Sequence, residues 1–319
     1  MKKIIKILIA SLLLSLTANA FGAAKKSIVC TTFPQYDWIK NIIGEKSGTF
    51  ELTLLLNNGT DLHSYQPSIK DIAKISVCDL FVYVGGESDE WVENVLENAK
   101  NKNMIVVNLM EVLADRVFEE EFVEGMQGEE EEGEEEEEEG PEYDEHIWLS
   151  LENACAVTQF LSKKIGDLDL KNAVSYRKNA DTYVSMLNDL NKKYSQTVAD
   201  AKYNTLLYAD RFPFRYLVED YGLKYYAAFI GCSAESEASF ATIKFLADKL
   251  NELDLPAVLI LEKSDGKIAR TVIEASGKKN VKTLVMDSLQ SVTKKEIKEG
   301  KNYLSVMEKN LEILKAALN

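Results

Sequence analysis

Apolar positions along this chain recur with two different periods. Short runs rich in β-branched and aromatic residues, SIVCTTF (27–33), FELTLLL (50–56), LFVYVGG (80–86) and MIVVNLM (104–110), predict strands. Between them, QYDWIKNIIGEK, SIKDIAKISVCD and DEWVENVLENAK return an apolar residue every three or four positions and predict helices. The same alternation restarts downstream with TLLYAD (205–210), YYAAF (225–229), AVLILEK (257–263) and VKTLVMD (281–287). Strands alternating with helices indicate βα units and parallel sheets.

Two helical stretches separate the halves. SLENACAVTQFLSKKIGDL reads as one, and 170–202 as a longer one. In the latter, Tyr176, Ala180, Tyr183, Met186 or Leu187, Leu190 and Tyr194 recur on one stripe, with no Gly or Pro inside. At 1.5 Å per residue such a helix reaches about 45 Å, longer than one lobe needs. The expected fold is therefore α/β: an N-terminal βα lobe over 27–166, a rigid linking helix over 170–202 and a C-terminal βα lobe over 203–319. Two parallel sheets joined this way leave a cleft, and ligands of such sheets bind beyond the carboxyl ends of the strands.

Composition adjusts the picture at the N-terminus and at one loop. MKKIIKILIASLLLSLTANA has lysines, a short apolar stretch and a small-x-small site, so residues 1–20 are expected to be a secretory signal peptide and the chain to be exported, into a periplasm. Without its three lysines the net charge moves from −15 to −18, which argues against nucleic acid or anionic membrane as a partner. Cys30, Cys78, Cys155 and Cys232 are widely spaced without a CxxC, and small buried side chains are the favoured reading over a bridge. Glu129–Glu132 and Glu134–Glu139 place ten carboxylates in eleven residues, so an acidic, disordered loop is expected over about 119–142.

The whole chain has two histidines. His63 follows a strand in NNGTDLHSYQPS, and His146 lies in YDEHIWLS directly after the acid run. Asp210 and Arg211 close one predicted strand and Asp287 another; Glu235, Glu237 and Glu262 are further carboxylates at strand ends. Imidazole with carboxylate suits Zn²⁺, and next Mn²⁺ or Fe²⁺.

These segments resemble the metal-binding solute-binding proteins of zinc and manganese uptake ABC transporters over essentially the whole mature chain. GTDLHSYQPSIKDIAKISVCDLFVYVGG is similar to the segment of that family carrying its first ligand. DEHIWLSLENA is similar to its Asp-x-His-[Ile/Val]-Trp-Leu-Ser motif, and VMDSL followed by KNYLSVMEKNLEILKAAL to its last strand and final helix. The resemblance implies metal ligands at His63, His146 and Asp287, with Asp144 holding the other ring nitrogen of His146. It also implies an ABC permease as partner and a divalent metal ion as cargo, zinc first, and no enzymatic activity; a monomer is expected. One departure stands out. In RFPFRYLVEDYGL the position of the third ligand of the family holds Arg211, which cannot coordinate a cation. Either fewer residues plus water hold the metal, or Asp210, one residue away, swings in. Arg211 is then expected to pair with an acid or with the anionic loop. A zinc hydrolase is the alternative from another class; it requires a base such as Glu145 beside His146, and no HExxH is present.

Overall fold

The computed structural model describes residues 25–128, 142–233 and 237–319. The predicted signal peptide, the run of glutamates and Glu235 lie outside the described residues.

Two four-stranded sheets form, each entirely parallel. The first contains β1 (Lys26–Cys30), β2 (Phe50–Leu54), β3 (Leu80–Tyr83) and β4 (Ile105–Asn108), in the spatial order β2-β1-β3-β4. The second contains β5 (Thr205–Phe212), β6 (Lys224–Ile230), β7 (Ala257–Leu261) and β8 (Lys282–Met286), in the order β6-β5-β7-β8. The two sheets thus repeat one topology, and in each the strand order reverses beside the first strand. Loops leaving the carboxyl ends there splay apart and make a crevice.

Helices α1 (Phe33–Ile43), α2 (Ile69–Val77), α3 (Trp91–Glu97) and α4 (Leu109–Leu113) belong to the first sheet. Next come α5 (Leu151–Leu168) and the linking helix α6 (Ala173–Ala199). The second sheet carries α7 (Arg215–Tyr221), α8 (Phe240–Glu252), α9 (Lys267–Ser276), α10 (Lys294–Lys298) and α11 (Tyr303–Ala317). Among the described residues no helix is long and apolar enough to cross a membrane.

The 27 residues of α6 span about 40 Å. Its buried stripe is Tyr176, Ala180, Tyr183, Val184, Leu187, Leu190 and Tyr194; Met186 points to solvent. Its ends serve both lobes: Asn179 Nδ2 donates to the carbonyl of Ile42 (2.9 Å), and Tyr194 Oη to that of Met307 (2.6 Å).

The cores follow from strand alternation, since successive side chains of a strand point to opposite faces. Leu206 and Tyr208 of β5 join a large apolar cluster that also contains Ile28, Val82, Trp38, Trp148 and Tyr303. Leu207 and Ala209 turn the other way, into a smaller core with Leu246, Leu250 and Val272. The larger cluster crosses from one lobe to the other. Polar bonds pin that crossing: Trp148 Nε1 donates to the Ser288 carbonyl (2.9 Å), Tyr303 Oη to the Trp148 carbonyl (2.6 Å), and the Tyr303 amide to Asp37 Oδ2 (3.0 Å).

The flanks of the acid run depart from the expected disorder. Glu119 bridges Tyr143, and the Glu120 amide donates to the Glu142 carbonyl at 2.9 Å. Residues up to 128 then lie against the second lobe. The Gln127 amide donates to the carbonyl of Ala228 (2.9 Å), Tyr225 Oη donates to Glu121 (3.0 Å), and Met126 is buried. Charge repulsion does not unfold these flanks, because their backbone and carboxylates find specific partners.

Candidate metal centre

His63 is carried by a single 3₁₀ turn, Leu62–Ser64, that follows β2. Asp61 caps the turn by accepting from the His63 amide (3.2 Å), buried Leu62 anchors it, and a capping box between Ser68 and Asp71 starts α2 just beyond. The ring is held from behind, with Nδ1 2.9 Å from Ser88 Oγ and 3.5 Å from Glu145 Oε2. Ser88 reaches this place because Gly85 and Gly86 both take positive φ after β3; a Cβ on Gly86 would collide with the Glu145 carboxylate.

His146 is 0% exposed. Its Nδ1 lies 2.9 Å from Asp144 Oδ1, which also accepts from the His146 amide (2.7 Å). The Asp144 carbonyl is held in turn by Tyr216 Oη at 2.7 Å. With both Nδ1 atoms occupied by oxygens, both Nε2 atoms face one point, 3.2 Å apart. Zn–N bonds of about 2.0–2.1 Å at a tetrahedral angle give an N···N edge of about 3.3 Å. The two imidazoles therefore stand at the spacing of two ligands of one cation.

Their electrostatics differ. Burial pushes the His63 pKa down to about 3, helped by a charge on His146 and by Arg211, against the pull of Asp61. Burial also works against a charge on His146, but Asp144, then Glu120 and Glu145, outweigh it and raise its pKa. Burial raises Glu145 to about 7.

The second lobe presents a different wall. Arg211 Nη2 donates to Asp61 Oδ2 (2.7 Å) and Nη1 to the Ser233 carbonyl (3.3 Å), so the arginine does pair with an acid, across the cleft. The Gln290 amide sits between the lobes; in the orientation that satisfies both its ends, its nitrogen donates to Asp61 Oδ2 at 2.7 Å and its oxygen faces His146 Nε2. Asp210 does not swing toward the histidines. β5 shifts register against β6 between Tyr208 and Arg211, and this irregularity turns Asp210 back into the sheet. There it accepts from the amides of Arg211 (2.9 Å) and Leu261 (3.3 Å). Asp287 also departs from its expected place. Its carboxylate caps the following turn at the Leu289 amide (2.9 Å), pairs with Lys301 (2.7 Å) and lines a separate cavity with Asn310. Glu262 is taken by Ser288, and Glu237 is exposed beside Lys267.

A thiol arrives instead. The ligand atoms of His63, His146 and Cys232 all lie within 4.8 Å of one another. Sequence reasoning grouped the four cysteines as small buried side chains. All four are unpaired, but only Cys30 and Cys78 are fully buried. Cys232 stands two residues past β6, at a strand end, and that position was its one signal. Glu120, Glu142 and Glu145 line a cavity of about 460 Å³ with His63 and Cys232.

Comparison with known proteins identifies the family of the chain. Residues 28–317 match the family described as zinc-uptake complex component A, periplasmic. The zinc-binding lipoprotein AdcA of Streptococcus pneumoniae is 33% identical over 323 residues, covering 99% of this chain and 61% of its own length. The high-affinity zinc uptake system protein ZnuA of Bacillus subtilis is 30% identical over 92% of this chain and 88% of its own. The chain thus spans about three fifths of the AdcA protein it matches. The crystal structure of the Zn(II)-bound ZnuA-like domain of AdcA superposes with a TM-score of 0.71 at 29% identity, over 92% of this chain and 99% of that domain. The metal-dependent lipoprotein YcdH of Bacillus subtilis gives 0.73 at 27%, over 92% and 100%.

Proposed function

This chain belongs to the family of zinc-uptake complex component A proteins, and from that premise we propose that it binds one Zn²⁺ between its lobes and delivers it to an ABC permease. The observation that carries the reading is the convergence of two Nε2 atoms 3.2 Å apart, each imidazole oriented by an oxygen on its far nitrogen. Imidazole pairs favour Zn²⁺ over Mn²⁺ in the ordinary affinity order. The cation approaches through the cavity lined by Glu120, Glu142 and Glu145, whose negative charge raises its local concentration. On arrival it competes with protons for both imidazoles, more at His146, whose pKa is raised by Asp144 and its neighbouring acids, than at His63, whose pKa burial pushes down to about 3. The chain works outside the cytoplasm, as the periplasmic family description supports.

The site is built for carriage rather than hydrolysis. Glu145 would have to stand near the Nε2 side of His63 to activate a metal-bound water. It lies instead behind the ring, 3.5 Å from Nδ1, and accepts from the Ser88 amide at 2.8 Å.

Zinc titration with elemental analysis tests this function. One Zn²⁺ per chain, lost in both His63→Ala and His146→Ala, is the expected result. Unchanged stoichiometry and affinity in the two variants would overturn it.

A further inference from the structure

We propose that Cys232 is the third protein ligand of this metal, so that the cargo is held by two imidazoles and one thiolate. The inference rests on the reading that His63 and His146 bind a cation.

Three observations carry it. The first is the geometry of the set, whose ligand atoms lie within 4.8 Å of one another. A tetrahedral zinc with Zn–S of about 2.3 Å and Zn–N of about 2.0–2.1 Å has an S···N edge of about 3.6 Å, the same scale as the spread of this set. The second is the way the thiol is delivered. A Cβ on Gly231 would stand 3.0 Å from His146 Cε1 and 3.2 Å from Nδ1, so the backbone there lies directly against the imidazole. That close approach disfavours a side chain at position 231 and holds the segment that carries Cys232 against the edge of the His146 ring. Glu120 Oε1 then holds the Cys232 amide at 3.2 Å, tying the turn to the first lobe. The third is the state of the alternatives. Arg211 carries a positive charge into the cleft, while Asp210 and Asp287 have their oxygens committed elsewhere.

Coordination by the thiol breaks its S–H bond, and the proton leaves to solvent as the metal–sulfur bond forms; no oxidant or reductant takes part. A thiolate is a soft donor, which deepens the preference for Zn²⁺ over Mn²⁺.

Cobalt(II) substitution tests the assignment. The full chain loaded with Co²⁺ is expected to show a thiolate-to-cobalt charge-transfer band in the near ultraviolet. Cys232→Ser should lose the band and keep weakened Co²⁺ binding with d–d absorption, and Cys155→Ser should keep the band. Zn²⁺ should also protect Cys232 from alkylation by iodoacetamide in the folded wild type. Co²⁺ binding that is lost in His146→Ala but shows no charge-transfer band in the wild type would overturn the thiolate and leave the carrier reading standing. No binding of Co²⁺ or Zn²⁺ at all would overturn both.

Discussion

The two walls of the cleft come from sheets with the same strand order, yet they carry opposite chemistry. The first wall offers two imidazoles, each backed by an oxygen, and a carboxylate-lined approach. The second offers a guanidinium, an amide and, past one glycine, a thiol. Topology repeats because backbone hydrogen bonding and helix packing constrain it. Side chains at strand ends are free of those constraints, so each wall has its own chemistry. A cation held here takes both imidazoles from the first wall, while Arg211 of the second pairs with Asp61 across the cleft.

The sharpest way to break this contrast is to remove the grip. His146→Ala should weaken zinc by more than the roughly 10–100-fold that follows loss of an orienting partner, measured by competition with a chelating dye. Retained tight binding would mean that the second wall holds the metal. Next in size, Asp144→Asn should lower affinity by about 10–100-fold with the fold intact, because His146 loses the carboxylate that fixes its tautomer and basicity. An affinity equal to wild type would make Asp144 a structural residue only.

The pH dependence gives a smaller and more discriminating effect. His146 has a raised pKa, so below that value the metal must displace one additional proton. His63, pushed down to about 3, adds none in the working range. Log affinity plotted against pH should therefore steepen by one proton as pH falls through the raised His146 value, about tenfold more loss per unit. Steepening by two would show that the histidines titrate alike. The smallest effect belongs to Asp210→Asn and Asp287→Asn. Both carboxylates are engaged by other partners, so each should shift zinc affinity by no more than about twofold, the scale of a surface substitution. A large loss in either would bring that carboxylate back to the metal.

Much of this was legible in the sequence, and the reasons are local. Strands from β1 to β8 announced themselves by apolar runs between turn signals, and α6 by its stripe of Tyr176, Tyr183, Leu187 and Tyr194. The histidines stood out because there were only two, each in a polar loop beside a strand. The directions of the strand-end carboxylates were not legible, for a geometric reason. A strand-end aspartate shows its position along the chain but not the direction its side chain takes. The register shift near Asp210 and the turn capped by Asp287 are tertiary facts that composition and spacing do not encode. Cys232 stayed hidden for the complementary reason: its role depends on how closely Gly231 lies on an imidazole 85 positions earlier in the chain.

The apolar cluster that runs from Ile28 and Trp38 through Trp148 to Tyr208 and Tyr303 makes the lobes inseparable in a thermodynamic sense. Apolar burial is the main term that offsets chain entropy, and here the larger core is shared between the two sheets while the second keeps a smaller core of its own. Opening either lobe therefore exposes apolar surface that the other lobe helps to bury. Neither lobe is an interchangeable module, and a lobe grafted from a relative would have to bring its half of this shared interior with it.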